Sequence, residues 1–329
     1  MTEKRLRMET PMQLISHEYI FAEDRPFRSC HASSLVELAE GGFLVVWFGG
    51  SRESADDVAI WSARRGVTGD WSVPQLVAKV EESAHWNPVI FRAANGQIHL
   101  WFKVGPKIPT WRTYTVLSDD DGERWSAPVE LAPGDTGGRG PVKNKPILLA
   151  DGGWLAGASL ETATDWDAFV DRSEDGGLTW QATPLIAYDH RRWAGKGVIQ
   201  PALWESAPGQ VHMLLRSTGG RICRSDSTDG GRMWSEIVPT NLPNNNSGLD
   251  VAWLAGGRLA LICNPVADRE RTPLSILFSH NNGLTWPERI DLETGPGEYS
   301  YPAIVPTADG ALAVSYTWRR ERIVWAKVE

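Results

Sequence analysis

An all-β, six-bladed β-propeller is the fold class this sequence predicts, and three observations carry the prediction. One turn signature recurs four times at a spacing of about 54 residues. Six further segments read as strand, tight Gly turn, strand. No segment shows a convincing amphipathic-helix period.

The recurring turn is Ser-x-Asp-x-Gly-x-x-Trp. It occurs as SDDDGERW (Ser118 to Trp125), SEDGGLTW (Ser173 to Trp180), STDGGRMW (Ser227 to Trp234) and SHNNGLTW (Ser279 to Trp286), the last with Asn281 in the acidic position. Its tryptophans lie 55, 54 and 52 residues apart. One period before Trp125 stands Trp71, in RRGVTGDW, which keeps the Trp without the acidic turn. Asp or Asn can cap its own backbone, Gly supplies positive φ, and Trp can fill the gap to a neighbouring unit. Four copies in register point to a repeated sheet.

The strand-turn-strand segments begin at His31, Asn87, Lys145, Gln200, Asp250 and Tyr301. Short strands with this long period predict radial sheets around a central axis. The last unit offers strands only near 301–306, 311–318 and 322–328, so Met12 to Phe21 is expected to pair there and close the ring, removing the free edges. Residues 1–329 read as one domain.

A net charge of −8 argues against nucleic acid or an anionic membrane surface as partner. Three cysteines without paired spacing suit a reducing compartment and give neither a disulfide framework nor a metal site. The start of the chain lacks an apolar signal region, and no apolar run is long enough to span a membrane, so a cytoplasmic location is expected. No cofactor or metal motif is evident. The 17 tryptophans call for periodic structural positions or an aromatic sugar-binding surface.

Six such units with these turns resemble the sialidase (neuraminidase) superfamily, in particular its BNR-repeat-like members, over nearly the whole chain. The turns are known there as Asp boxes and mark the fold rather than the chemistry. The resemblance implies a site where the innermost strands begin. There three arginines hold a sugar carboxylate, a tyrosine assisted by a glutamate attacks the anomeric carbon, and an aspartate is the acid/base. On the register of the strand-turn glycines, the tyrosine is Tyr301, nine before Gly310, with Tyr299 as fallback. The middle arginine is Arg216, and the later one is Arg271, with Arg269 as competitor. The aspartate is one of Asp56 and Asp57, with Asp57 preferred. Two positions depart from the pattern: His31 stands where the first arginine belongs, and Gln200 where the glutamate belongs. Gln cannot accept the phenolic proton, so either another carboxylate (Glu161, Glu205 or Asp250) reaches Tyr301 or the chemistry differs.

Residue chemistry adds further candidates. Arg216 follows the apolar run MLL, where a guanidinium needs a partner or an anion. His31 can exchange a proton near neutrality. Trp86 could stack on a sugar, with Asn87 beside it as a binding residue. Lys143, Lys145 and Lys103 could form an anion trap, Arg52 could bind substrate, and Glu161 and Asp250 could move protons. The expected partner is therefore a carbohydrate carrying a carboxylate. The leading function is an exo-acting glycoside hydrolase that releases an acidic sugar. A uronate-specific polysaccharide lyase using Tyr301 and His31 is the alternative, and a non-catalytic carbohydrate-binding propeller is the third.

Overall fold

The computed structural model describes residues 12–268 and 270–329. Arg269, the alternative to Arg271, and the first eleven residues lie outside them. The described chain forms six four-stranded antiparallel sheets arranged as the blades of a β-propeller. Their innermost strands are Ser29–Glu37, His85–Arg92, Ile147–Leu148, Val198–Ala207, Asp250–Trp253 and Tyr299–Pro306, which we number blades 1 to 6. The expected closing strand is present as Leu14–Tyr19, antiparallel to Arg322–Val328 in blade 6.

Hydrophobic clusters join each blade to the next around the ring. Leu44, Val46, Phe48 and Ile60 of blade 1 pack on Ile98, Leu100, Phe102 and Val116 of blade 2. Trp47 and Phe43 pack on Trp325 and Ile323 across the closure between blades 6 and 1. Trp47, Trp101, Trp204 and Trp325 are fully buried in these seams, so much of the tryptophan excess is structural.

The repeated turns connect the third and fourth strands of blades 2 to 5. In each, the Ser hydroxyl bonds the Asp or Asn side chain at 2.8–3.0 Å, as in Ser118–Asp120 and Ser279–Asn281. The same hydroxyl accepts the N–H of the positive-φ glycine, for example Gly177 at 2.8 Å. Trp180 then packs edge-on against Trp101 of the preceding blade.

One backbone irregularity recurs at the axis. The pairing register shifts just after His31, Trp86, Ile199 and Ser300 in the innermost strands of blades 1, 2, 4 and 6. The next residues, Ala32, Asn87, Gln200 and Tyr301, have φ of 56°, 40°, 58° and 50°. Proline follows three of them and, having no N–H, suits a place where the ladder is broken. Positive φ in non-Gly residues is costly and persists only where the surroundings enforce it. Three of the four, Asn87, Gln200 and Tyr301, are site candidates from the sequence.

Candidate active site at the start of the innermost strands

Tyr301, Gln200 and Arg216 meet near the axis. The Arg216 Nη1 group donates to the Tyr301 hydroxyl at 2.8 Å and lies 3.3 Å from Gln200 Oε1. Its Nε donates to Asn246 Oδ1 at 2.7 Å. The Gln200 amide nitrogen is 3.4 Å from the same hydroxyl. Gly248 lies against the group: a Cβ there would stand 3.3 Å from Lys143 Cε, 3.5 Å from Tyr301 Cδ2 and 3.6 Å from Gln200 Oε1.

His31 packs its ring 4.3 Å, centroid to centroid, from that of Tyr301. Its Nδ1 bonds the Thr317 hydroxyl at 3.1 Å. Burial holds the imidazole well below its ordinary pKa, and the positive charges of Arg320, Arg271, Arg216 and Lys143 push the same way. The ring is therefore neutral near pH 7, with Nε2 making no hydrogen bond to a described residue.

Arg271 and Arg320 share one carboxylate. Arg271 Nη1 donates to Glu298 Oε1 at 2.8 Å, and Arg320 Nε to both Glu298 oxygens at 3.1 and 3.2 Å. Burial alone would raise the Glu298 carboxyl; Arg320 and Arg271 reverse this and hold it below the usual range. Arg320 also pairs with Glu53, which ties the 51–57 loop to this side of the site. These two arginines, Glu298 and Glu270 line a cavity of about 470 Å³. Three guanidiniums thus serve the site, and Arg320, absent from the sequence candidates, is one of them. It sits in the last hairpin, where Arg319 and Arg320 have φ of 52° and 58°. Two arginines where Gly or Asn is usual was the available signal.

Glu161 is nearly buried, at 9% exposure, and burial raises its carboxyl while Arg216 and Lys196 oppose this. Asp57 is exposed, and its two oxygens accept the Ser51 N–H and hydroxyl at 2.9 Å each, closing the loop. Arg52 on that loop is exposed and reaches only the Glu53 carbonyl, at 3.5 Å.

Other sequence candidates are placed differently from expectation. Trp86 has 6% exposure, gives its indole N–H to the Gly105 carbonyl and packs on Trp111, so it offers no face to a sugar. Lys103 is wholly buried, with its ammonium on the Thr113 hydroxyl and the Arg139 carbonyl, and is no part of an anion trap. Lys145 and Asp250 neutralise each other at 2.9 Å, and Asp250 also accepts the Ile304 N–H. Asn87 spends its amide on the Val142 carbonyl of blade 3. Glu205 binds the N–H groups of Ala150 and Gly209 at the far end of its strand. Neither Asp250 nor Glu205 bonds Tyr301. Tyr299 is buried, its hydroxyl 3.4 Å from the Pro296 carbonyl, away from Arg216.

A cavity of about 610 Å³ opens at the other end of the axis, near Val36, Ala93, Leu203, Trp253 and Pro306 of the innermost strands or just beyond them. Glu37, Arg92, Lys145 and Glu205 are its charged lining residues, while Tyr301, His31, Arg216 and Glu161 do not line it. The candidate site lies at the end at which these strands begin.

A family profile described as a BNR repeat-like domain matches residues 41–314. The chain belongs to that family. A protein from Micromonospora viridifaciens named sialidase is 25% identical over 168 residues, which are 48% of this BNR-repeat chain and 24% of the relative. The chain thus spans about a quarter of that curated relative. Among solved structures, a protein of unknown function from Dyadobacter fermentans superimposes with a TM-score of 0.79 at 16% identity, covering 97% of this chain and 99% of its own. A Hadza microbial sialidase gives 0.77 at 18% identity, with 91% and 65% covered. These likenesses show that the chain shares the fold of those structures.

Proposed function

We propose that this BNR-repeat propeller is an exo-acting glycoside hydrolase that releases a carboxylate-bearing sugar, with Tyr301 as nucleophile. The observation that carries this is the Arg216 guanidinium on the Tyr301 hydroxyl, beside a neutral His31 and within a ring of cations. A phenol is a poor nucleophile unless its anion is stabilised and its proton has an acceptor. Arg216 supplies the first, and His31, whose neutral ring packs on that of Tyr301, is the acceptor to test for the second.

Tyr301 Oη attacks the anomeric carbon as the glycosidic C–O bond breaks. The phenolic proton passes to His31, and Glu161, whose carboxyl burial raises, gives a proton to the leaving oxygen. Water then attacks the anomeric carbon as the bond to Tyr301 Oη breaks; its proton goes to the Glu161 carboxylate, and the departing phenolate takes back the proton held by His31. The sugar carboxylate lies against Arg216, Arg271 and Arg320, whose planar forks suit it. Asp57 is the second carboxyl to test for the acid role.

One observation favours a lyase acting on uronates as the second reading: the hydrogen-bond partners of the Tyr301 hydroxyl are Arg216 and Gln200, and neither is a carboxylate. A phenolate so placed could remove the proton beside a carboxylate that Gln200 and Arg216 neutralise. Incubation with sialylated and uronate-terminated oligosaccharides, followed by mass spectrometry, separates the two. A saturated free acid supports the hydrolase, and an unsaturated, ultraviolet-absorbing product supports the lyase. Tyr301→Phe is expected to lower the rate on the order of a thousand-fold. No product from either substrate set, or undiminished turnover by Tyr301→Phe, would overturn the proposal.

A further inference from the structure

Lys143, like Arg216, carries a charge with no carboxylate in hydrogen-bonding contact among the described residues. Its side chain is buried at 4% exposure. The ammonium donates to Asn144 Oδ1 at 2.9 Å, to the Leu249 carbonyl at 3.0 Å, and to the Pro302 carbonyl. The nearby Asp250 is taken by Lys145. All three oxygens around Lys143 are neutral, and they come from blade 3, from the approach to blade 5 and from blade 6.

What these contacts hold is specific. Pro302 directly follows Tyr301, and Asn144, fixed by Lys143, donates to the carbonyls of Gln200 and Pro201 at 3.0 and 3.2 Å. Lys143 and Asn144 together therefore grip the backbone at two positive-φ residues, Tyr301 and Gln200. These are the residues whose side chains converge on Arg216. Strained conformations of this kind need external support. An ammonium on peptide oxygens supplies it more strongly than a neutral donor would.

We propose that Lys143 is a positioning residue for the Tyr301–His31 pair. As a carbonyl-caged cation it fixes the strained backbone at Tyr301 and Gln200 and places a positive charge beside both rings. The catalytic meaning of this rests on the reading of Tyr301 and His31 given above; the positioning itself does not.

The charge acts on His31. The charged groups around that ring are Arg320, Arg271, Arg216 and Lys143, while its direct neighbours Thr317, Phe48 and Tyr301 are neutral near pH 7. Burial brings the Lys143 ammonium down to about 7, so it is protonated over the acid range in which His31 titrates. Removing that cation must therefore raise the His31 pKa.

The test is NMR on protein carrying labelled histidine and ¹³Cζ-tyrosine, with His31 and Tyr301 assigned through His31→Asn and Tyr301→Phe. Lys143→Met removes both charge and donors, whereas Lys143→Gln removes the charge and keeps a donor. Both variants are expected to move the His31 midpoint up by roughly one pH unit. Only Lys143→Met is expected to shift the Tyr301 resonance strongly. An unmoved His31 midpoint in a folded variant overturns the electrostatic part, and an unmoved Tyr301 resonance in Lys143→Met overturns the positioning part. If both variants fail to fold, Lys143→Arg, which keeps the charge and changes the donor geometry, is read in the same way: the His31 midpoint is expected to stay in place and the Tyr301 resonance to move, and an unmoved Tyr301 resonance overturns the proposal. None of these readouts needs a substrate. A negative glycan screen with these shifts present would refute the hydrolase while leaving the role of Lys143 standing.

Discussion

Gln200 is the residue on which the two chemical readings divide. It sits 3.4 Å from the Tyr301 hydroxyl and 3.3 Å from Arg216 Nη1, so its side chain already has the reach a glutamate would need. Gln200→Glu adds a proton acceptor without changing volume, and Arg216 offsets the cost of the new buried charge. For a hydrolase working through Tyr301, the release of saturated sugar is expected to rise on the order of a hundred-fold, the lower end of what a positioned base contributes. A lyase would instead slow, since the new carboxylate repels the uronate that must bind there. Rates of the two product types in the same assay decide it. The register of the strand glycines made this triad of Tyr301, Gln200 and Arg216 legible, because each sits at a fixed step within a repeated strand. Arg320, Glu298 and Asn246 were not legible, since they come from loops of unrepeated length. The Lys145–Asp250 pair joins residues 105 apart in sequence, and no pattern in either blade announces it. Trp86 failed for a simpler reason. Successive strand side chains point to opposite faces, so a place at the start of a blade does not decide between axis and seam.

At the scale of the element, the Asp-box turn was read almost completely from sequence, because it is local: every bond within it spans four residues or fewer. Asp175 shows its logic. One oxygen accepts the Ser173 hydroxyl and the N–H groups of Leu178 and Thr179, at 2.8, 3.1 and 2.9 Å, and the other takes the Thr179 hydroxyl. Asn281 does the same work uncharged, accepting the Thr285 N–H at 2.9 Å and donating to the Thr285 hydroxyl. Hydrogen bonding, more than charge, is thus what the turn requires. Asp175→Ala leaves several turn N–H groups to solvent and is expected to cost about 1–2 kcal/mol. Asp175→Asn should cost well under half of that. Urea unfolding midpoints at constant m-value measure both. Equal losses in the two variants would show that the carboxylate charge matters after all. The positive-φ bulges at the axis were not legible in the same way, since they depend on blades meeting rather than on neighbours in the chain.

Across the whole molecule, the buried cations and imidazoles impose a pH dependence of definite sign. Burial lowers Lys103 and Lys143 to about 7, and His85 and His99 to about 4. In the unfolded chain the lysines titrate near 10.5 and the histidines near 6.5. Between the folded and unfolded values the unfolded chain binds more protons, so stability must rise with pH in both windows. For the histidines the window is about 4 to 6.5, and for the lysines it is about 7 to 10.5. Each fully coupled group contributes about 1.4 kcal/mol per pH unit. The thiols of Cys30, Cys223 and Cys263 oppose the lysines at the alkaline end. Burial raises them above their ordinary value of 9.0, so the unfolded chain loses those protons first. The urea midpoint is therefore expected to climb between pH 7 and about 8.5, less steeply at the lower end, where His17, raised by its hydrogen bond to Glu293, opposes the lysines. Lys103 is the better probe of the two lysines, because it lies away from the Tyr301 site and its removal does not disturb the proposed chemistry. Lys103→Met should take away close to half of the climb and leave glycan turnover unchanged. A wild-type midpoint that stays flat or falls over that interval would mean that both lysines remain charged in the fold, held by their carbonyl cages against the burial that opposes them.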